Sequence, residues 1–225
     1  MSPSRTNDRL AYLARRLRLT YAWAPRRWHR LRTLLRTARS PRAALDCCFA
    51  ALDLTGFFDL YEGLTNALFP STRPLTPGEL LVLRPVFKDS VPYDLIRVDE
   101  RAYLGPSWAR FFYVSFHTIN AWGRMSDPTL VHEVVHVWQY THRGAAYIPR
   151  ALYAQTTPAG YNYGGLEELE RHNRLEDFNY EQQADIIEDF YRLTHGYPAQ
   201  WVPGRGAEVL PAFYPYVGEL TNRKS

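Results

Sequence analysis

Leucine and tryptophan recur at roughly helical spacing through residues 8–38, at Leu10, Leu13, Leu17, Trp28, Leu31 and Leu35, with arginines filling the intervals. The pattern predicts one or two basic helices, with Pro25 as the break between them. Residues 42–68 are more apolar and read as helices packed on a core, in which Asp46 and Asp53 argue against burial in lipid. Pro70, Pro74 and Pro77 then mark a linker. Thr76-Pro77-Gly78-Glu79 has the form of a capping box, which predicts a helix to about Phe87.

Segments rich in β-branched and aromatic residues at 94–98, bounded by Pro92, and at 111–121 are the two strand signals of the chain. Asp127 as a cap and Pro128 as an opening residue predict a helix to about Thr141. A loop containing Gly, Tyr and Pro covers 156–165. Asn179 followed by Gln182 predicts a second capped helix over 180–194, ended by Gly196. The order of elements is that of an α+β fold with a small antiparallel sheet. The prolines divide it into a basic and apolar helical region, 1–69, and a domain at 70–225.

Composition changes this picture in two places. Residues 1–42 hold twelve arginines against Asp8 alone, a net +11 that leaves −7 for the remainder of a chain whose total is +4. Candidate partners for this stretch are an anionic membrane surface or an acidic protein; with no recognised module, nucleic acid is not expected. The two cysteines, Cys47 and Cys48, are adjacent and form no disulfide framework. There is no apolar run long enough to span a bilayer, and arginines interrupt every apolar stretch a signal peptide would need. The expected location is cytoplasmic, with membrane association or delivery by a secretion system as alternatives.

The chemistry is concentrated in His132-Glu133-Val134-Val135-His136. Histidines four apart project from one helical face and can share one zinc ion. Glu133, about 100° round the helix, can act as general base toward a metal-bound water. Leu130, Val131, Val134, Val135, Val137 and Trp138 make the helix apolar nearly all round, so its polar groups need a partner, and a divalent metal supplies one. A third ligand has two candidates. His142 lies ten residues after His132, but Gln139 stands where a chain reversal needs glycine. Glu181 is preferred: it shares a helical face with Asp185, which would accept a proton from the far nitrogen of a ligand histidine. The alternative is an ordinary solvated acidic face, since Glu188 and Asp189 follow.

His-Glu-Val-Val-His with a downstream Glu-x-x-Ala-Asp resembles the gluzincin zinc metallopeptidases. More narrowly, Arg73 to about Gly196 is similar to the minimal metallopeptidase domains (eCIS-core type) associated with bacterial polymorphic toxins and contractile injection systems. The resemblance implies a zincin-like domain, zinc on His132, His136 and Glu181, and Glu133 as base in peptide hydrolysis. It does not cover residues 1–69. Tyr161 and Tyr163 are the candidates for stabilising the tetrahedral intermediate, with His172 and His195 as alternatives, and the strand at 111–116 is a candidate edge for an extended substrate. The competing expectation is a non-catalytic zinc-binding module that docks onto a secretion or toxin assembly.

Overall fold

The computed structural model describes residues 3–68, 72–101, 112–121 and 123–221. Three helices open the chain: α1 (Pro3–Thr37), α2 (Pro41–Leu54) and α3 (Phe57–Leu68). Then come β1 (Thr72–Pro74), α4 (Pro77–Phe87), β2 (Arg97–Asp99), β3 (Tyr113–Ser115) and β4 (Thr118–Asn120). The remaining helices are α5 (Asp127–Arg143), α6 (Tyr147–Gln155), α7 (Gly165–Arg171), α8 (Tyr180–Thr194) and α9 (Tyr214–Thr221). The architecture is α+β. No helix among the described residues is long and apolar enough to cross a membrane.

Local signals set several of these boundaries. Thr76 caps α4 through the reciprocal box with Glu79, and Asn179 caps α8 in the same way with Gln182. The cap of α5 is Ser126, whose hydroxyl accepts from the Thr129 N–H at 3.3 Å; Asp127, the expected cap, falls in the first turn. Pro25 does not break α1. It lies on the exposed face, and Arg27 and Arg30 beside it are held against α3 and the end of the long helix that follows the sheet, so tertiary contact outweighs a local cost of about 3 kcal/mol.

The sheet order is β1-β2-β4-β3. β1 and β2 are antiparallel, as are β3 and β4, but β2 runs parallel to β4, so the sheet is mixed rather than antiparallel throughout. The stretch expected as one strand over 111–121 is a hairpin, with Phe111 itself outside the described residues. Phe116 adopts φ 60°, stacks on Phe58 at 4.5 Å, and is followed by His117, whose N–H donates to Glu62 Oε1 at 2.9 Å. These contacts with α3 reverse a segment whose composition alone favours extension. The reversal places β3 at the sheet edge and buries Ile119 of β4 in the middle.

The main core lies between the sheet, α4, α5, α8 and α9, around Phe87, Ile96, Val131, Val135, Ile186 and Phe213. Ala184 is fully buried where α5 meets α8, and so small a side chain lets the two backbones approach. A second apolar cluster (Phe58, Phe116, Tyr140, Ala145, Tyr147, Ala151) joins the first three helices to the rest. The arginines of α1 are not all solvated. Arg16 and Arg27 are 1–2% exposed and reach Asp53, Asp59 and Glu62 at 2.5–3.3 Å. Arg30 donates to the carbonyls of Thr141 and His142 at the end of α5.

Candidate metal centre

α5 is buried from Leu130 through Tyr140, and α8 crosses it at Ala184. The crossing brings three donor atoms together. His132 Nε2 and His136 Nε2 lie 3.4 and 3.3 Å from the same Glu181 oxygen, Oε2, and all three ligand atoms fall within 4.8 Å of one another. Metal–ligand bonds of about 2.0–2.1 Å in a tetrahedron separate the donors by roughly 3.3 Å, so the spacing fits a zinc-sized ion.

The outer nitrogens of both rings are engaged. His132 Nδ1 donates toward Asp185 Oδ1 at 2.8 Å, and Glu188 Oε2 lies 3.2 Å from the same atom. His136 Nδ1 donates to Gln139 Oε1 at 2.8 Å, while the Gln139 amide donates to Tyr180 O and Gln183 Oε1. With the proton on Nδ1, each ring turns the Nε2 lone pair inward, the tautomer a metal requires. Gln155 donates to the other Glu181 oxygen at 2.9 Å. His132, Asp185 and Glu188 are also close enough to hold an ion among themselves, but neither carboxylate lines the open cleft.

Electrostatics support a cation at this place. Burial lowers the pKa of both histidines, but carboxylates outweigh it: Asp185, Glu181 and Glu188 for His132, and Glu181 for His136, so both are raised. Burial pushes the Glu181 carboxyl up and the two imidazoles pull it well below the usual carboxylate range. Glu133 is raised, chiefly by burial, and its Oε2 has no hydrogen-bond partner among the described residues. A buried carboxylate oxygen without a donor is costly unless something polar comes to it. His132, His136 and Glu181 thus form a set that could hold a metal ion, with Glu133 beside it as a fourth group that coordination leaves free.

The set opens on a cleft of about 390 Å³, lined mainly by apolar groups. One wall is the edge strand, Tyr113, Val114 and Ser115; the other is α6, with Tyr147, Ile148, Ala151 and Leu152. Tyr147 donates to Val114 O at 2.7 Å and stacks on His136, tying the edge strand to the histidine pair.

The other expected site residues separate cleanly. Tyr161 lines the cleft with its ring 6.0 Å from His132. Burial and Glu181 push its phenol up to about 12, so it stays a donor at neutral pH. Tyr163 does not belong to the site: it is 2% exposed, and its phenol donates to Asp189 at 2.8 Å, below Phe213. His172 sits near Glu168 and Asp177, and His195 stacks on Tyr191, both away from the cleft lining. His142 lies 2.7 Å from Ser90 O and stacks on Trp138, turned from the cluster. The acidic face of α8 is not solvated: Glu188 and Asp189 are 5% and 0% exposed. Their i+7 and i+8 spacing from Glu181 was the available signal for them. Gln139, Tyr147 and Gln155 carried no local signal of a role.

Fold and site together define an α+β protein with a buried cluster of two histidines and one carboxylate, able to hold a metal ion, at the floor of an apolar cleft. The chain is similar to the type VI secretion system spike protein VgrG2b of Pseudomonas aeruginosa, with 27% identity over 153 residues. That match covers 63% of this chain and 15% of the spike protein, so the chain corresponds to a small part of that protein's length. No family model matches the chain, and no solved structure matches it.

Proposed function

We propose that this chain is a zinc-dependent peptidase that works in association with a bacterial secretion or toxin assembly. The observation that carries the reading is the convergence of His132 Nε2 and His136 Nε2 on Glu181, beside a Glu133 oxygen without a hydrogen-bond partner among the described residues. Zinc held by these three residues supplies Lewis acidity and lowers the pKa of water in the cleft. Glu133 takes a proton on Oε2, and its burial-raised pKa suits it to pass that proton on. Tyr161 offers its phenolic proton to the carbonyl oxygen of the substrate. β3 is the last strand of the sheet among the described residues and lines the cleft, so an extended peptide can lie along it.

The association with a secretion assembly rests on the similarity to a spike protein. The same similarity favours a second reading, a zinc-stabilised docking module without catalysis. A purely structural site is closed and has no use for a general base; the open cleft and the unpartnered Glu133 support the enzyme. The deciding experiment is a pair of measurements on Glu133→Gln: zinc content, and hydrolysis of an unstructured protein such as casein. The peptidase keeps zinc and loses hydrolysis. A wild-type protein that holds zinc but cleaves nothing leaves the docking module.

A further inference from the structure

α1 turns three of its arginines inward beside Tyr12 and Leu31. Arg16, Arg27 and Arg30 point to the body, whereas Leu10, Leu17, Tyr21, Trp28 and Leu35 on the opposite side are 43–81% exposed. The exposed positions advance by seven, four, seven and seven residues, which at about 100° per residue keeps them within an arc of roughly 40°. A helix on a water-facing surface has the reverse polarity.

α3 repeats the pattern. Phe57, Leu60, Tyr61 and Leu64, at i, i+3, i+4 and i+7, are 46–51% exposed, while Phe58, Asp59, Glu62 and Asn66 are buried. Glycines press the two helices together. A Cβ at Gly56 would stand 2.5 Å from Thr20 Cγ2, and one at Gly63 2.6 Å from Leu13 Cδ1. Thr20 opposes Gly56 and Leu13 opposes Gly63, so the helices are antiparallel and their apolar stripes lie side by side on the outer face.

The charge beside this face has one sign. No acidic residue occurs between Asp8 and Asp46. Arg18, Arg32 and Arg36 flank the α1 stripe, are exposed, and form no ion pair among the described residues. We propose that the α1–α3 face docks on an anionic lipid bilayer, with α1 lying flat in the headgroup region. Leu17, Tyr21 and Trp28 reach the acyl boundary there, and the flanking arginines meet lipid phosphates. A second copy of the chain fits less well, because it would set arginine against arginine. The proposal stands on α1 and α3 alone and does not depend on the metal site.

The test is flotation of the full chain with vesicles of phosphatidylcholine mixed with phosphatidylglycerol, and with phosphatidylcholine alone. The mixed vesicles should capture the protein, and added salt should release it. Tyr21→Ser combined with Trp28→Ser should weaken capture by about tenfold or more, as should Arg18→Gln, Arg32→Gln and Arg36→Gln together. Leu81→Ser, at a 76% exposed position on α4, should bind as wild type. All the replaced side chains are exposed, so unchanged circular dichroism separates lost binding from lost folding. Absence of capture, or capture that both multiple variants retain, overturns the proposal. Dependence on the arginines without dependence on Tyr21 and Trp28 also overturns it, since an acidic protein surface would give that result. So does a dimer in solution that Tyr21→Ser with Trp28→Ser dissociates.

Discussion

His132 Nδ1 lies 2.8 Å from Asp185 Oδ1, on the side of the ring turned away from Glu181. Trp201 Nε1 donates to the other Asp185 oxygen at 2.6 Å, so this carboxylate is held from behind as well. Asp185→Asn should keep the fold and weaken zinc affinity or activity by about 10–100-fold, the usual cost of losing a ligand's orienting partner. Competition with a zinc-responsive chelating dye measures it directly. An affinity unchanged from wild type would remove Asp185 from the site.

The ligand set itself is separable by substitution. Purified protein should carry about one zinc per chain. His132→Ala, His136→Ala and Glu181→Ala should each lose it, whereas His142→Ala, which gives up the contact with Ser90 O and the stacking on Trp138, should retain it. Elemental analysis after dialysis reads all four. Zinc retained by Glu181→Ala but lost by His142→Ala would replace the present ligand set with three histidines.

Gln139 gives an independent check on the second ring. Its Oε1 is the acceptor for His136 Nδ1, and its amide is fixed by Tyr180 O and Gln183. Gln139→Leu should lower zinc affinity by about 10-fold or more while Gln182→Leu, on the outer turn of α8, leaves it unchanged. Equal effects of the two substitutions would mean that the loss comes through α8 stability and not through the histidine.

The ion cluster under α1 makes a stability prediction. Arg16→Met leaves Glu62 buried without its arginine and Asp59 with Arg27 alone, which costs about 3–5 kcal/mol. For a chain of this size the melting temperature should fall by roughly 10 °C or more. Adding Glu62→Leu should restore part of it, because the pair then leaves together. Removing residues 1–42 strips the cations from Asp53, Asp59 and Glu62 at once, and the remainder should be insoluble or partly unfolded in analytical ultracentrifugation.

The same cluster fixes a pH dependence. His117 is kept below the usual imidazole value, first by burial and also by Arg16, although Glu62 opposes this. Asp59 and Glu62 are raised by burial, but their arginines and hydrogen bonds outweigh it and leave both below the usual range. All three are depressed, so the stability they contribute is complete above their unfolded pKa values and is lost as pH falls. The loss begins below about pH 6.5 with His117 and steepens below about pH 4 with the carboxylates. Asp53, raised chiefly by burial, works in the opposite sense. The gap in urea midpoint between wild type and Arg16→Met with Glu62→Leu should narrow as pH falls from 8 to 4, a comparison in which the raised His132 and His136 cancel.

Much of the site was legible because it is written in short-range patterns. His132 and His136 share a face by spacing, and the capping boxes at Thr76 and Asn179 are satisfied within three residues. What escaped was decided by distant chain. Phe116 turns because Phe58 and Glu62 wait beneath it, and the sequence at 111–121 does not contain them. Tyr161 and Tyr163 look alike two residues apart, yet one enters the cleft and the other reaches Asp189. Arg16 and Arg18 look equally alike, and only the carboxylates of α3 decide which is buried.

That last dependence has a kinetic side. The inward face of α1 finds no partner of its own; its partners are Asp53, Asp59, Glu62, His117 and the end of α5, with Arg30 reaching across 112 residues to His142 O. At about 5–20 residues per second, a ribosome needs roughly 5–20 s to make that interval. Throughout it Arg30 lacks the carbonyls it bonds, although Asp53, Asp59 and Glu62 emerge earlier, with α2 and α3. Closure of α1 on α5 is therefore a late step of high contact order, and the rate of refolding from urea should be governed by that step, not by helix formation.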